Sequence, residues 1–404
     1  MKILWIKADF LHPTTRGGKI RTLEMLRRLH RRHEVHYVAY TDPGEPEGVR
    51  RSSEYCSHVW PVPLRVPLHT SPRFLIQLAA GLWSPLPVAV SRYTSPRMRR
   101  QIDELRARER FDSIVCDFLA PAPNISDLEE CVLFQHNVET MIWRRHVEHA
   151  HDPLRRWYLQ LQADRMFALE QRVVNSVAHV VAVSRQDAET MRALFGVSSI
   201  STVDTGVDID YFQPAPETAA ASPRWDLVFV GAMDWLPNVD GISYFVDRVL
   251  PLIRRRRPEC SVAVVGRSPL PEVLELGRRD PRLTITGTVP DVRPYLWNSA
   301  VSIVPLRIGG GTRLKIYESM AARVPVVSTT VGAEGLLIHP PENIRIADDP
   351  DSFARQCLEL LESPEDRRRI ADTAFELVSS RFSWDHVTSA FEQILTNRVR
   401  TQVS

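Results

Sequence analysis

The stretch "RIGGGTRLKIYESMAARVPVVSTT", residues 307–330, sets three glycines before a basic, then apolar, helix pattern. It follows the apolar run "AVSIVPL" and leads into "VPVVST", so the glycine turn falls at the carboxyl end of one strand and a second strand comes after the helix. Strand, turn, helix, strand is a parallel crossover unit. Gly309, Gly310 and Gly311 lack Cβ atoms, which lets backbone N–H groups approach a ligand. Thr312 is a good N-cap for the helix. Arg313 and Lys315 then fall in its first turn, the wrong end for cations because the macrodipole is positive there. Such a local conflict makes sense where an anion docks. Between Asp291 and Glu318 there is no acid, while Arg293, Arg307, Arg313 and Lys315 are all present. The pattern predicts a phosphate or diphosphate site. Glu318 lies three residues after Lys315 on the same helix face. Either the two form a surface ion pair, or Glu318 accepts hydrogen bonds from sugar hydroxyls while Lys315 reaches a phosphate. The spacing is not that of a Walker A loop, and no GxGxxG follows the first strand, which counts against nucleoside triphosphate hydrolysis and dinucleotide binding.

Outward from this stretch, strands and helices alternate in both halves of the chain. "ILWI", "EVHYVAY", "FDSIVCD", "CVLF" and "HVVAVS" read as strands of the first half, and "DLVFVG", "SVAVVG", "LTITG" and "AVSIVPL" as strands of the second. Near-continuous Val/Ile/Leu runs fit parallel sheets covered on both faces. "GGKIRTLEMLRRLHRR" places Ile20, Leu23, Leu26 and Leu29 on one helix face, and a long helix spans about 153–176. Residues 60–96 hold seven prolines among apolar residues and read as a long irregular or part-helical insert, either functional or a packing segment. The Pro/Ala/Ser-rich segment around 206–224 reads as a linker. The division expected is a Rossmann-like amino-terminal domain over 1–205, a linker over 206–224 and a Rossmann-like carboxyl-terminal domain over 225–380. A final helix over 381–404 is expected to pack back on the first domain. The fold class expected is α/β, two doubly wound sheets facing across a cleft at their carboxyl edges, where such folds bind ligands.

With 404 residues, 44% apolar and 25% charged, the chain is an ordinary globular one, and its net charge of +2 carries no polyelectrolyte signal. Basic clusters at 27–32, 97–110 and 253–258 read as solvated helix faces or as a surface facing anionic lipid or phosphate. No recognition-helix, zinc-finger or aromatic–basic pattern points to nucleic acid. Five scattered cysteines without a CxxC argue for reduced thiols in a cytoplasmic protein. No apolar run is long enough for a transmembrane helix. In "HVEHAHD" (146–152), His146 and His149 share a helix face with no carboxylate or Cys at a known ligand spacing, so the sequence points to no metal site there or elsewhere. His136 follows "CVLFQ" and precedes Asn137, a candidate N-cap, and Glu139, an acid suited to a first helical turn.

The ordered series "FVGAMDWLPNVDGISYFVDRVLP", "VVG", "ITGTVPDVRPYL", "VPLRIGGGTRLKIYESMAARVPVVST" and "GAEGL" resembles the donor-binding half of the family 4 (group 1) retaining glycosyltransferases. "HPTTRGGKIRTLEMLRRL", "FQHNVE", "VAVS" and "TGVDIDYF" resemble the matching amino-terminal segments. The resemblance covers nearly the whole chain. It implies the two-Rossmann GT-B fold and metal-independent transfer of a sugar from a nucleotide-sugar to a glycan or lipid-linked acceptor. Polysaccharide or cell-envelope glycan synthesis is expected, with no cofactor, the nucleotide-sugar being a substrate. The basic clusters and the apolar Pro-rich segment suggest a membrane surface, so a cytoplasmic location at the inner face of the membrane is expected. Glu318 matches the second glutamate of the family's E-x7-E motif, the ribose ligand, whereas Gly310 stands where the first glutamate is found. Arg313 and Lys315 match basic residues near the diphosphate. Gly266 and Val289 match the base and ribose pocket, Gly17 and Gly18 the glycine turn near sugar and phosphate, and His136 the active-site histidine touching the donor sugar. Gly310, Gly311 and Thr312 complete the donor-binding set, with His136, Arg313 and Lys315 assigned to catalysis. A nucleotide-sugar 2-epimerase of the same fold and a non-catalytic nucleotide-sugar-binding scaffold are the alternatives.

Overall fold

A computed structural model describes residues 1–14, 17–42, 46–65, 81–148, 150, 152–214, 224–308 and 314–403, with the side chains of 400–403 excepted. The chain divides into two compact units, Met1–Asp204 with Val387–Ser404, and Thr205–His386.

The first unit is a seven-stranded sheet in which every pairing is parallel. Its strands and principal helices run β1 (Lys2–Ile6), α1 (Gly17–Leu29), β2 (Glu34–Thr41), β3 (His58–Pro63), α2 (Pro96–Arg108), β4 (Ser113–Asp117), β5 (Cys131–Gln135), α3 (Glu139–Glu148), α4 (Pro153–Ser176), β6 (His179–Ala182), α5 (Arg185–Phe195) and β7 (Ile200–Thr202). The spatial order is β3-β2-β1-β4-β5-β6-β7, so the chain reverses direction across the sheet between β1 and β4. Both β4 and β5 are buried at every position, which accounts for their unbroken apolar reading.

Strand β3 corrects the expectation of an irregular segment from residue 60 onward. Pro61 and Pro63 sit in a strand registered Ala39↔Pro61 and Thr41↔Pro63. The strand is an edge, where Pro is tolerated. Leu64 N donates to Thr41 O, and backbone alternation turns the nitrogens of Pro61 and Pro63 toward the open side, where no ladder bond is lost. Residues 66–80 of that segment lie outside the described residues.

The second unit carries six parallel strands in the order β10-β9-β8-β11-β12-β13. Its strands and principal helices run β8 (Trp225–Val230), α6 (Leu236–Tyr244), a π-helical turn (Phe245–Val249), α7 (Leu250–Arg256), β9 (Val262–Val265), α8 (Pro271–Arg279), β10 (Leu283–Ile285), β11 (Ser299–Val304), α9 (Leu314–Ala321), β12 (Val326–Ser328), β13 (Arg345–Ile346), α10 (Pro350–Glu362) and α11 (Pro364–Arg381). The π turn precedes Pro251, whose ring and missing N–H break the α-helical ladder there. The last helix, α12 (Trp384–Val403), joins the first unit from Val387 onward. Phe391 packs on Trp5 and Phe134 at ring separations of 5.7 and 5.0 Å, and Glu392 takes His33 at 2.7 Å and Arg32 at 2.8 Å.

The basic clusters are largely compensated. Arg27 and Arg28 pair with Glu24, Arg106 with Asp127 and Glu130, Arg254 with Asp280, and Arg257 with Asp226. All five cysteines are buried free thiols. Among the described residues no helix is long and apolar enough to cross a membrane.

Candidate functional site

Each unit places a polar cluster at the carboxyl end of its sheet, beside the point where the strand order reverses. Open α/β sheets bind ligands at such points.

In the second unit the reversal lies between β8 and β11, and α9 leads away from β11. Ser302 on β11 and Ser319 on α9 share a buried hydroxyl–hydroxyl bond of 2.9 Å, while Ser319 Oγ also donates to Lys315 O at 2.8 Å. Tyr317 stacks on Phe382 at 4.4 Å. These contacts fix the rotation of α9. Lys315 Nζ then reaches Asn238 Oδ1 at 2.7 Å and lies 4.5 Å above the Phe229 ring. Asn238 is nearly fully buried, and its Nδ2 donates to Ala232 O at 2.8 Å, which orients the oxygen toward the lysine. A Cβ on Gly231 would fall 2.7 Å from Lys315 Nζ, so glycine at the end of β8 makes room for the ammonium. Glu318, one turn further along α9, is half-buried. Burial pushes its pKa up to about 7, with the Lys315 charge partly opposing the shift. Hydrogen-bond partners for this carboxylate are absent among the described residues. A desolvated carboxylate beside an oriented ammonium is suited to receiving hydroxyl donors.

Gly310, Gly311, Thr312 and Arg313 lie outside the described residues. Gly266 ends β9, and a Cβ there would meet Gly231 O at 1.7 Å, so its role here is to let two strand ends touch. Val289 is half-buried against the apolar core of the unit. The expectation that Arg293 and Arg307 join Lys315 in one cationic group is corrected. Arg293 is paired with Asp291 at 2.6 Å and stacked 3.9 Å over Tyr211, and Arg307 pairs with Asp240 and lies over Tyr244.

In the first unit the reversal lies between β1 and β4, and a buried network fills it. Asp117, the last residue of β4, contacts Lys7 Nζ and His136 Nε2 through Oδ1, both at 2.9 Å. Its Oδ2 accepts from Trp5 Nε1 at 2.9 Å and from Thr22 Oγ1 at 2.7 Å. Burial alone would raise the Asp117 pKa, but Lys7 and His136 overcome it and hold the carboxyl well below the usual range. Burial lowers His136 to about 3, Asp117 opposing and the Arg21 and Lys7 cations adding to the drop. His136 is therefore neutral near pH 7. Arg21 Nη1 donates to its Nδ1 at 3.2 Å, which leaves the proton on Nε2, facing Asp117. Arg21 itself is lowered to about 10 by burial, with Asp187, Asp117 and Asp204 opposing, and stays charged.

Phe118 stacks on His136 with ring centroids 3.9 Å apart, and its φ of 70° is an uncommon backbone value for a bulky residue. Gly17 and Gly18 begin α1, and a Cβ on Gly18 would meet the Phe118 ring at 2.8 Å and His136 Nδ1 at 3.6 Å. The structure thus joins Gly18 to His136. Asn137, expected as the N-cap of α3, is displaced from that role. The amides of Glu139 and Thr140 donate to Glu170 of α4, at 3.0 and 2.8 Å. Burial raises Glu139 to about 7, and Glu170 adds to the shift. In "HVEHAHD", His146 packs against Trp143, while His149 and His151 lie outside the described residues. Sequence reasoning missed Lys7, Arg21, Asp117, Gly231 and Asn238. The available signal was a charged residue ending each of the apolar runs "ILWIK" and "SIVCD".

The family described as Glycosyltransferase Family 4 matches residues 15–211, and Glycosyl transferases group 1 matches 224–363. The chain belongs to the group 1, family 4 glycosyltransferases. D-inositol 3-phosphate glycosyltransferase 2 of Catenulispora acidiphila is 27% identical over 253 residues, covering 57% of this chain and 58% of that protein. The chain therefore matches a little over half the length of that relative. A protein from the cps region of Klebsiella pneumoniae is 18% identical over 96% of this chain and 98% of its own. Among solved structures, sucrose-phosphate synthase of Thermosynechococcus elongatus shares the fold with a TM-score of 0.71, 17% identity and all of both chains covered. HepE of Anabaena, solved in complex with UDP-glucose, gives a TM-score of 0.67 at 14% identity, covering 98% of this chain and all of its own. The fold is α/β of the GT-B kind, with its two parallel sheets.

Proposed function

We propose that this glycosyltransferase moves a sugar, with retention, from a nucleotide-sugar donor to a glycan or lipid-linked acceptor in polysaccharide or cell-envelope glycan synthesis. The observation that carries the reading is the pair Lys315 and Glu318 on α9 at the carboxyl end of β11, inside the segment that matches the family. Lys315, oriented by Asn238, faces the donor diphosphate and neutralises the charge that grows on it as the bond to the sugar breaks. Glu318 accepts hydrogen bonds from the ribose hydroxyls. The bond from sugar C1 to the phosphate oxygen breaks, and a bond from C1 to the acceptor oxygen forms on the same face. The acceptor proton passes to the departing phosphate, so no side-chain nucleophile, metal ion or cofactor is needed. Arg313 and the Gly310–Thr312 turn are assigned to the same phosphate groups. In the amino-terminal unit, neutral His136, fixed between Arg21 and Asp117, is assigned to the sugar. UDP-glucose in the HepE complex supports a nucleotide-sugar donor, and the name of a Bacillus subtilis relative, a putative teichuronic acid biosynthesis glycosyltransferase 27% identical over 54% of this chain, supports a glycan product.

Exposed Trp83, Leu154 and Trp157 favour a lipid-linked acceptor at a membrane surface. They are 83%, 74% and 56% exposed, and the carbonyls of Gly81 and Leu82 are held by Arg165 of α4, the helix that carries Leu154 and Trp157.

The test is a thermal-shift screen of nucleotide-sugars on the purified chain, followed by transfer assays with labelled donor. Lys315→Ala is expected to reduce turnover by ~100-fold with little change in melting temperature, and unchanged turnover would sink the phosphate assignment. Release of a 2-epimer without acceptor would favour the epimerase. Binding with no release of nucleotide from any donor would favour the scaffold.

A further inference from the structure

The amino-terminal edge of the first sheet, the end opposite the polar network, gathers a second group of side chains. Glu34 and His36 are two residues apart on β2 and so share a face of the sheet. His58, the first residue of β3, lies directly across from His36 in the register. Glu109 follows the last residue of α2. Glu34 Oε1 is 2.9 Å from His36 Nε2 and 3.4 Å from His58 Nε2, and Glu109 Oε2 is 3.5 Å from His36 Nε2. A tetrahedral zinc ion with bonds of ~2.0–2.1 Å keeps its ligand atoms ~3.3 Å apart, and these three separations straddle that value. The ligand atoms of Glu34, His36 and His58 all lie within 4.8 Å of one another, and this set of two imidazoles and a carboxylate suits zinc, with Glu109 beside His36 adding negative charge. His36 is 1% exposed, whereas Glu34, His58 and Glu109 keep between 30% and 52% of their side chains in water, so an ion can enter.

We propose that Glu34, His36 and His58 form a zinc site, completed by water and flanked by Glu109, that staples the proline-bearing edge strand β3 to β2. The ammonium of Lys2 lies 3.3 Å from Glu34 and 2.8 Å from Glu109 and stands in for the cation. Its side chain is 31% exposed and swings out to solvent when the ion enters. One contact opposes loading. Trp60 Nε1 points at His36 Nδ1 over 3.4 Å, a long bond that opens when Nδ1 takes the proton so that Nε2 can bind the metal.

The experiment uses the tag-free full chain, stripped with chelator and re-equilibrated with Zn²⁺ or Co²⁺. The expected results are one zinc per chain by elemental analysis, a raised melting temperature and the intense visible bands of tetrahedral cobalt. His58→Gln, at an exposed position, is expected to weaken zinc binding by more than ~10-fold while melting as the metal-free parent does. Glu34→Gln, which removes the carboxylate of the group, serves as the second variant should His58→Gln fail to fold. Lys2→Ala is expected to tighten binding, and unchanged affinity would refute competition between the ammonium and the metal. The site itself is overturned if the parent retains no stoichiometric zinc, or if His58→Gln and Glu34→Gln bind it as tightly as the parent.

Discussion

Glu318→Gln separates a carboxylate kept for a ligand from one that holds the fold together. In the folded chain the Glu318 proton is retained to about pH 7, against a usual value of 4.5. Between those values the folded state binds more protons than the unfolded state, so this group's contribution to stability falls as pH rises through the window. A move of that size corresponds to ~3.4 kcal/mol once both states are ionised. Part of the side chain remains in water, so ~1–2 kcal/mol is the working figure. Gln has the same shape and no charge. The variant is therefore expected to be more stable than the parent by ~1–2 kcal/mol at pH 8 and nearly equal to it at pH 5. For a unit of this size that is a gain of ~2–8 °C in melting temperature. The assay is thermal or urea unfolding at both pH values. Nucleotide binding should move the other way, with weaker affinity in the variant. In the parent, capture of the ionised carboxylate by ribose hydroxyls should release about half a proton at pH 7, measurable by calorimetry in buffers of different ionisation heat. A variant less stable than the parent at pH 8 would refute the reasoning, because it would mean that partners within the fold already satisfy the carboxylate.

Asp117→Asn should destabilise the first unit by about 3 kcal/mol or more, since Lys7 would remain buried without its counter-charge and Arg21 would lose one of the three carboxylates that oppose its burial; urea unfolding reads the loss. The stability that Asp117 confers is present above its unfolded value of 3.8 and should fade as pH drops toward its depressed folded value. Gly266→Ala should reduce stability by about 3 kcal/mol, because its Cβ would stand 1.7 Å from Gly231 O, and a normal urea midpoint would disprove that packing. Trp83→Ala combined with Trp157→Ala should abolish co-sedimentation with anionic vesicles while shifting stability by less than about 0.5 kcal/mol; retained sedimentation would remove the membrane reading.

Most of the fold was legible because its central strands are buried on both faces and leave unbroken apolar runs. β3 escaped because two prolines look like loop residues until the strand is known to be an edge. Lys315 and Glu318 were legible from glycine, strand and helix context. The network around Asp117 was not, since Lys7, Arg21 and Asp117 are separated by up to 110 residues and each resembles an ordinary turn or helix charge. The cationic cluster was overread for a related reason. Asp240, which neutralises Arg307, lies 67 residues before it, so counting acids between Asp291 and Glu318 could not find it.

The return of α12 to the first unit orders events at the ribosome. Trp5 and Phe134 are made early, yet Phe391, which covers both, emerges only after the whole second unit has been synthesised. Until then the nascent first unit presents an uncovered aromatic face and lacks the Glu392 partner of Arg32 and His33. The second unit, contiguous in sequence, can complete itself sooner. The order of maturation is thus the reverse of the order of translation, and premature termination near residue 386 would yield a sound second unit tethered to an aggregation-prone first one.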